Sequence, residues 1–152
     1  MSSLLILLIF LAPTALSLRT DFIFNGTVTC SIKQPFIYKI NVVEKDFVLW
    51  DDKISRSPFQ IAQSSPAYYQ VAATEWGDGP LDPTYEIKYE VFHDCCSVFI
   101  DDTLRFEIQV GNFEVKDGPI YHTFDFTLDD KGRLRGQKEL ITGSDNKLII
   151  NC

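Results

Sequence analysis

At 152 residues the chain has room for one domain with a sizeable core and none for a second. Its formal net charge is -7, from 14 Lys and Arg against 21 Asp and Glu, and no basic block interrupts that balance. Binding to nucleic acid or simple attraction to an anionic membrane surface is thereby excluded, because both need clustered cations.

The first predicted element is a leader. Residues 1–17, "MSSLLILLIFLAPTALS", carry no charged side chain and contain an apolar run from Leu4 to Leu11. Ala15 and Ser17 provide the small-x-small pattern of a signal-peptide cleavage site, with the cut before Leu18. The run is shorter than the roughly 20 apolar residues that span a bilayer. No other segment approaches that length, so the expectation is a secreted chain without a transmembrane anchor. Residues 18–152 then form a single extracellular domain.

Alternation governs the remainder of the chain. In "FIFNGTVTCSI", Phe22, Phe24, Val28, Cys30 and Ile32 share one parity, and Asn25, Thr27, Thr29 and Ser31 share the other. Successive strand residues face opposite sides, so this is a half-buried strand with Cys30 inward and Asn25 outward. Asn25 opens "NGT", the acceptor triplet for N-glycosylation, and is the predicted glycan site of a secreted protein. "FIYKINVVE" repeats the period, and "DFVLWDD", "SPFQIAQ" and "AYYQVAAT" are three shorter strand candidates. "EWGDGPLDP" reads as a loop, since its Gly, Pro and Asp cannot sustain a ladder. "TYEIKYEVFHDC" aligns Tyr85, Ile87, Tyr89, Val91, His93 and Cys95; "LRFEIQV" aligns Leu104, Phe106, Ile108 and Val110. "YHTFDFTL" places His122, Phe124, Phe126 and Leu128 together, "DDKG" is a turn, and "KLIINC" is the last strand candidate. About eight short strands with no helical period predict an all-β fold, an antiparallel β-sandwich of immunoglobulin-like kind or a barrel, stapled by disulfides.

The four cysteines, Cys30, Cys95, Cys96 and Cys152, are an even set in an oxidising compartment and read as disulfides. Adjacent residues of a strand diverge, so Cys95 and Cys96 are expected to reach Cys30 and Cys152 separately, with the choice of partner open. A structural zinc site would want paired Cys or His spacings, which are absent. A Cys/His nucleophile would need a free thiolate. His93 and His122 fall on apolar parities and read as half-buried histidines bonded to backbone. The acidic pairs Asp51-Asp52, Asp101-Asp102 and Asp129-Asp130 read as solvated turn residues, without the ligand loop of a dedicated Ca²⁺ site. No catalytic residue, metal or cofactor is expected.

"FNGTVTC", "YKINVVEKDFVLWDD", "DPTYEIKYEVFHDC", "FEI" and a closing Cys together resemble the nematode transthyretin-like family. The family pattern of a first strand ending in Cys, a strand ending His-Asp-Cys and a Cys near the C-terminus falls on Cys30, on His93-Asp94-Cys95, and on Cys152. Two features depart from it. "SIKQPFI" stands where the family has Gly after its first Cys, and Cys96 stands where a Cys usually follows several residues later. The resemblance implies a small secreted transthyretin-like sandwich that binds or bridges extracellular partners without established catalysis. The tail "LIINC" does not match the Tyr-Arg-Gly-Ser type ending of the transthyretin-related hydrolase. The expected function is therefore non-enzymatic binding of an extracellular protein or cell-surface partner, with Tyr68, Tyr69 and Trp76 as candidate contacts. Carriage of a small apolar ligand or lipid between the sheets is the alternative, which 12 Phe and 6 Tyr would permit.

Overall fold

The computed structural model describes residues 18–45, 51–77, 83–97, 103–129 and 131–134. The predicted leader at 1–17, the strand candidate at 147–152 with Cys152, the pair Asp101-Asp102 and Asp130 lie outside the described residues.

The described chain is all β. Its strands are β1 (Arg19–Thr29), β2 (Phe36–Glu44), β3 (Asp52–Arg56), β4 (Gln60–Ala62), β5 (Ala67–Trp76), β6 (Thr84–His93), β7 (Leu104–Glu114), β8 (Gly118–Thr123), β9 (Phe126–Thr127) and β10 (Arg133–Leu134). They form two packed sheets. The first, sheet A, is built around β1, with β5 antiparallel on one flank and β8 then β9 parallel on the other. The second, sheet B, runs β10-β7-β6-β2-β3, with β4 also beside β2, and is antiparallel throughout. The predicted sandwich is observed, and its parallel pairs are the one departure from an antiparallel plan. Alternation tells which face a strand buries but not which way it runs.

The inward rows follow the expected parity except at Ile32, which lies beyond the end of β1 and is exposed. Phe22, Phe24 and Val28 of β1 meet Tyr38, Ile40 and Val42 of β2 and Tyr85, Ile87, Tyr89 and Val91 of β6 in one core. Aromatic rings dominate its centre. Phe24 and Tyr89 pack edge to face with centroids 5.8 Å apart, as do Tyr69 and Tyr89 at 6.0 Å. Each such pair contributes about 1 kcal/mol beyond the area it buries.

Three local readings change. The strand candidate at 46–52 falls mostly outside the described residues, and β3 at Asp52–Arg56, whose residues are mostly wet and so lack an apolar period, was not predicted. Its place comes from pairing with β2, with Asn41 opposite Arg56. Glu75 and Trp76 belong to β5 rather than to a loop, because Arg19 and Thr20 of β1 extend the ladder opposite them. In β7 the register shifts between Ile87 and Lys88, whose partners are Gly111 and Gln109, leaving Val110 extra. That bulge reverses the parity beyond it. Phe113 consequently joins the core, with its ring 5.8 Å from those of Phe22 and Phe24.

Candidate functional site

The cluster at the end of β6 looks chemical in sequence and is structural in space. Cys95 is joined to Cys30, which immediately follows β1, by a disulfide that ties the two sheets together. Cys96 is disulfide-bonded as well, and no cysteine among the described residues is free. Both neighbours are buried, because the chain has left its strand at His93 and strand parity no longer separates them. His93 is fully buried. Its Nδ1 accepts the Cys95 N–H at 3.1 Å, and its Nε2–H donates to the Lys131 carbonyl at 3.0 Å. Burial lowers the imidazole to about 4, against smaller opposing effects from that carbonyl and from Asp94 and Asp129. The ring is therefore a neutral brace with both nitrogens engaged.

Asp94 completes the fastening. Its Oδ1 accepts the Ile37 N–H at 2.8 Å and its Oδ2 pairs with Lys33 Nζ at 2.5 Å. Cys30 Sγ, Cys95 Sγ and a carboxylate oxygen of Asp129 lie within 4.8 Å of one another, a grouping that could suggest a metal. The sulfurs are bonded to each other, however, and Asp129 Oδ1 accepts the Ser31 N–H at 2.7 Å. Asp51, in another of the acidic pairs, is held by Lys88.

Tyr69 is corrected from contact residue to core residue. Adjacent strand residues face opposite sides, so Tyr68 and Tyr69 cannot both be outward; Tyr68 is 65% exposed and Tyr69 only 1%. The Tyr69 hydroxyl donates to the Phe124 carbonyl at 2.5 Å and meets the Tyr89 hydroxyl at 3.3 Å. Burial raises the Tyr69 phenol to about 12 and the Tyr89 phenol further still. His122 is half-buried, with its ring edge-on to Phe113 at 5.2 Å and to Phe24 at 6.3 Å.

The outer faces of the two sheets differ. On sheet B, Glu90 is buried beneath its own partners: Oε2 takes Asn41 Nδ2 at 2.8 Å and Lys53 Nζ at 2.6 Å, and Oε1 takes Arg105 Nε at 2.7 Å. Burial alone would raise this carboxyl, but those hydrogen bonds and the charges of Arg105 and Lys53 hold it below its ordinary range. Lys88, Glu107, Lys45 and Glu86 extend the network across the sheet.

On sheet A the registers build a different surface. Across β5, β1 and β8, Ala72 faces Ile23 and Ile23 faces Tyr121; Gln70 faces Asn25 and Asn25 faces Thr123. Tyr68 faces Thr27 in the next row, and Trp76 faces Arg19 at the far end. Charge is confined to the margins. Arg19 and Asp21 pair at 3.0 Å, with Thr74 Oγ1 donating to Asp21 at 2.7 Å. At the other end the Thr27 hydroxyl and N–H donate to Asp125 at 2.8 and 2.7 Å, holding that carboxyl below its usual range. Between them lie neutral side chains and the exposed ring of Tyr121, at 70%. Tyr68 stands at the Asp125 end, and Trp76, at 53%, stands at the other end with the Arg19 guanidinium 6.0 Å from its ring. Tyr121 is the residue that sequence reasoning missed. Its signal was available, since it alternates out of phase with the inward Ile120 and His122.

Asn25 sits at the centre of this face. Thr123 Oγ1 donates to Asn25 Oδ1 at 2.7 Å. Gly26 beside it is required by a close approach: a Cβ there would lie 2.2 Å from the Phe124 carbonyl oxygen, at a φ of +155°. The "NG" pair is thus part of a continuous strand and not a turn.

Among the described residues no helix is long and apolar enough to cross a membrane. Neither a family model nor a solved structure matches the chain. The chain is similar to the uncharacterized protein B0416.7 of Caenorhabditis elegans, with 34% identity over 83 residues. That match covers 53% of this chain and 59% of the relative, so the chain spans somewhat over half the length of the curated relative it matches.

Proposed function

We propose that this protein is a secreted, non-enzymatic binding or bridging module of the nematode transthyretin-like type. It engages an extracellular protein or cell-surface partner through the outer face of sheet A. The observation that carries this reading is the contrast in side chains: Tyr68 and Tyr121 stand exposed among neutral residues and Trp76 stands exposed beside Arg19 at the rim, while the charges at the centre of sheet B are paired around Glu90. Tyr and Trp supply large contact area at small entropic cost, which suits them as interface anchors. The same reading is supported by the fate of the reactive-looking residues. The Cys95 sulfur is oxidised and both His93 nitrogens are occupied, so the "HDC" group acts as a fastener.

Carriage of a small apolar ligand between the sheets has less support. The rings that would line such a cavity pack on one another, Phe22 on Tyr85 and Phe124 on Tyr89 among them. The test uses secreted protein, labelled and applied to cell-surface and extracellular-matrix preparations. Trp76→Ser should lose most of the capture shown by the native protein. Equal capture by the two would refute the contact face, and a small apolar molecule co-purifying in native mass spectrometry would establish the carrier instead.

A further inference from the structure

The acceptor triplet and the exposed tyrosines are conventionally read separately, the one as a modification site and the others as contacts. The sheet registers put them together. Asn25 has Tyr68 one strand away on β5, diagonal through Thr27, and Tyr121 one strand away on β8, diagonal through Ile23. A strand spacing of about 4.8 Å and a two-residue step of about 6.6 Å set each tyrosine about 8 Å from Asn25 along the sheet. Both rings share its face, and both are among the most exposed large hydrophobic side chains described.

The asparagine itself is oriented outward. With its Oδ1 accepting from Thr123, its Nδ2 makes no hydrogen bond among the described residues. Gln70, Thr123, Ala72 and Ile23 surround it, so no charged side chain occupies its own row or the row toward Tyr121. A sugar has polar edges and an apolar C–H face. Neutral hydrogen-bonding groups flanked by two aromatic rings match both.

We propose that Asn25 carries an N-linked glycan whose first sugars fold back on Tyr68 and Tyr121 and cover this half of the outer face. Attachment joins Asn25 Nδ2 to the anomeric carbon of a lipid-pyrophosphate-linked oligosaccharide. The bond from that carbon to the pyrophosphate oxygen breaks, the lipid pyrophosphate leaves with the electron pair, and one amide proton passes to solvent. The inference rests on the proposed secretory route and narrows the proposed contact surface. Trp76 faces Arg19, six residues along β1 from Asn25 and so about 20 Å away. That end of the face stays open for a partner while the tyrosines are sheltered. The glycan also shields β5, which among the described residues is an edge strand of ten residues with no charge on its outward row, the kind of edge that otherwise invites pairing with another chain.

The experiment expresses the full chain in animal cells and compares the secreted protein before and after enzymatic removal of N-glycans. The Asn25→Gln chain serves as a control that never carries the sugar. Hydroxyl-radical labelling, read by peptide mass spectrometry, should rise severalfold at Tyr68 and Tyr121 when the glycan is absent and stay unchanged at Trp76. Secreted chain with unmodified Asn25 overturns the inference, and so does a glycan whose removal leaves the labelling of both tyrosines unchanged. Retention of the chain inside the cell would instead defeat the secretory reading, and that failure is visible before any sugar is examined.

Discussion

The fastened end of β6 and the outer face of sheet A make opposite use of polar and aromatic residues. At the first, His93, Asp94 and Cys95 spend their polar atoms on the protein itself: on a backbone carbonyl, two backbone N–H groups, a lysine and a second cysteine. At the second, Tyr68, Tyr121 and Trp76 leave much of their rings uncovered by the protein, with the Arg19 guanidinium set against Trp76. The difference teaches that an assembly of reactive residue types signals chemistry only when something in it remains unengaged. A cluster with every donor and acceptor occupied contributes stability, and a surface with unspent rings is where recognition has room.

The comparison predicts large stability effects at the first region and small ones at the second. The largest should follow loss of the Cys30–Cys95 bridge, which closes a separation of 65 residues. Cys30→Ser/Cys95→Ser should cost about 4 kcal/mol in denaturant unfolding, from the freed entropy of the unfolded chain. A loss below about 1 kcal/mol would mean that the hydrogen bonds of His93 and Asp94 hold the sheets unaided.

Next in size is a dependence on pH. The His93 ring is lowered to about 4 in the folded protein and returns to about 6.5 on unfolding. Its contribution to stability is thus fully present above pH 6.5 and is lost as pH falls toward 4. Between pH 7 and pH 5, where few carboxylates titrate, unfolding free energy should fall by about 2 kcal/mol. Urea melts of the native protein and of His93→Gln at both pH values check this; an equal slope in the two would remove His93 as its source.

The smallest effects belong to the outer face. Trp76→Ser and Tyr121→Ser should each shift stability by less than about 0.5 kcal/mol, because exposed side chains without buried partners contribute little to folding. A thermal melt of each variant beside the native protein measures the shift. A loss of about 2 kcal/mol or more would place these rings in the fold and erase the contrast between the two regions.

Much of this architecture was legible from alternation. Phe22, Phe24 and Val28, or Tyr85, Ile87, Tyr89 and Val91, recur at period two because one side of each strand must leave water, and that requirement is written locally. The candidate site was less legible. "AYYQ" contains two tyrosines whose alternation requires opposite fates, but residues before and after must say which one is inward. Val71 and Ala73 settle it, since Tyr69 shares their parity and all three are buried. β3 could not be read because an edge strand wet on both faces carries no apolar signal, and Phe113 was hidden by a bulge that depends on pairing with β6.

The sequence by itself determined the class of fold, the inward rows, the outward place of Asn25 and the oxidised character of Cys30, Cys95 and Cys96. Those are properties of single strands and of residue chemistry. Only the tertiary structure decided that β8 runs beside β1 in parallel, that Cys95 rather than Cys96 reaches Cys30, and that Tyr68 and Tyr121 flank Asn25 on one face. Each of those depends on which strands become neighbours and in what register. Neighbours are chosen by the packing of two whole sheets, and no stretch of ten residues contains that choice.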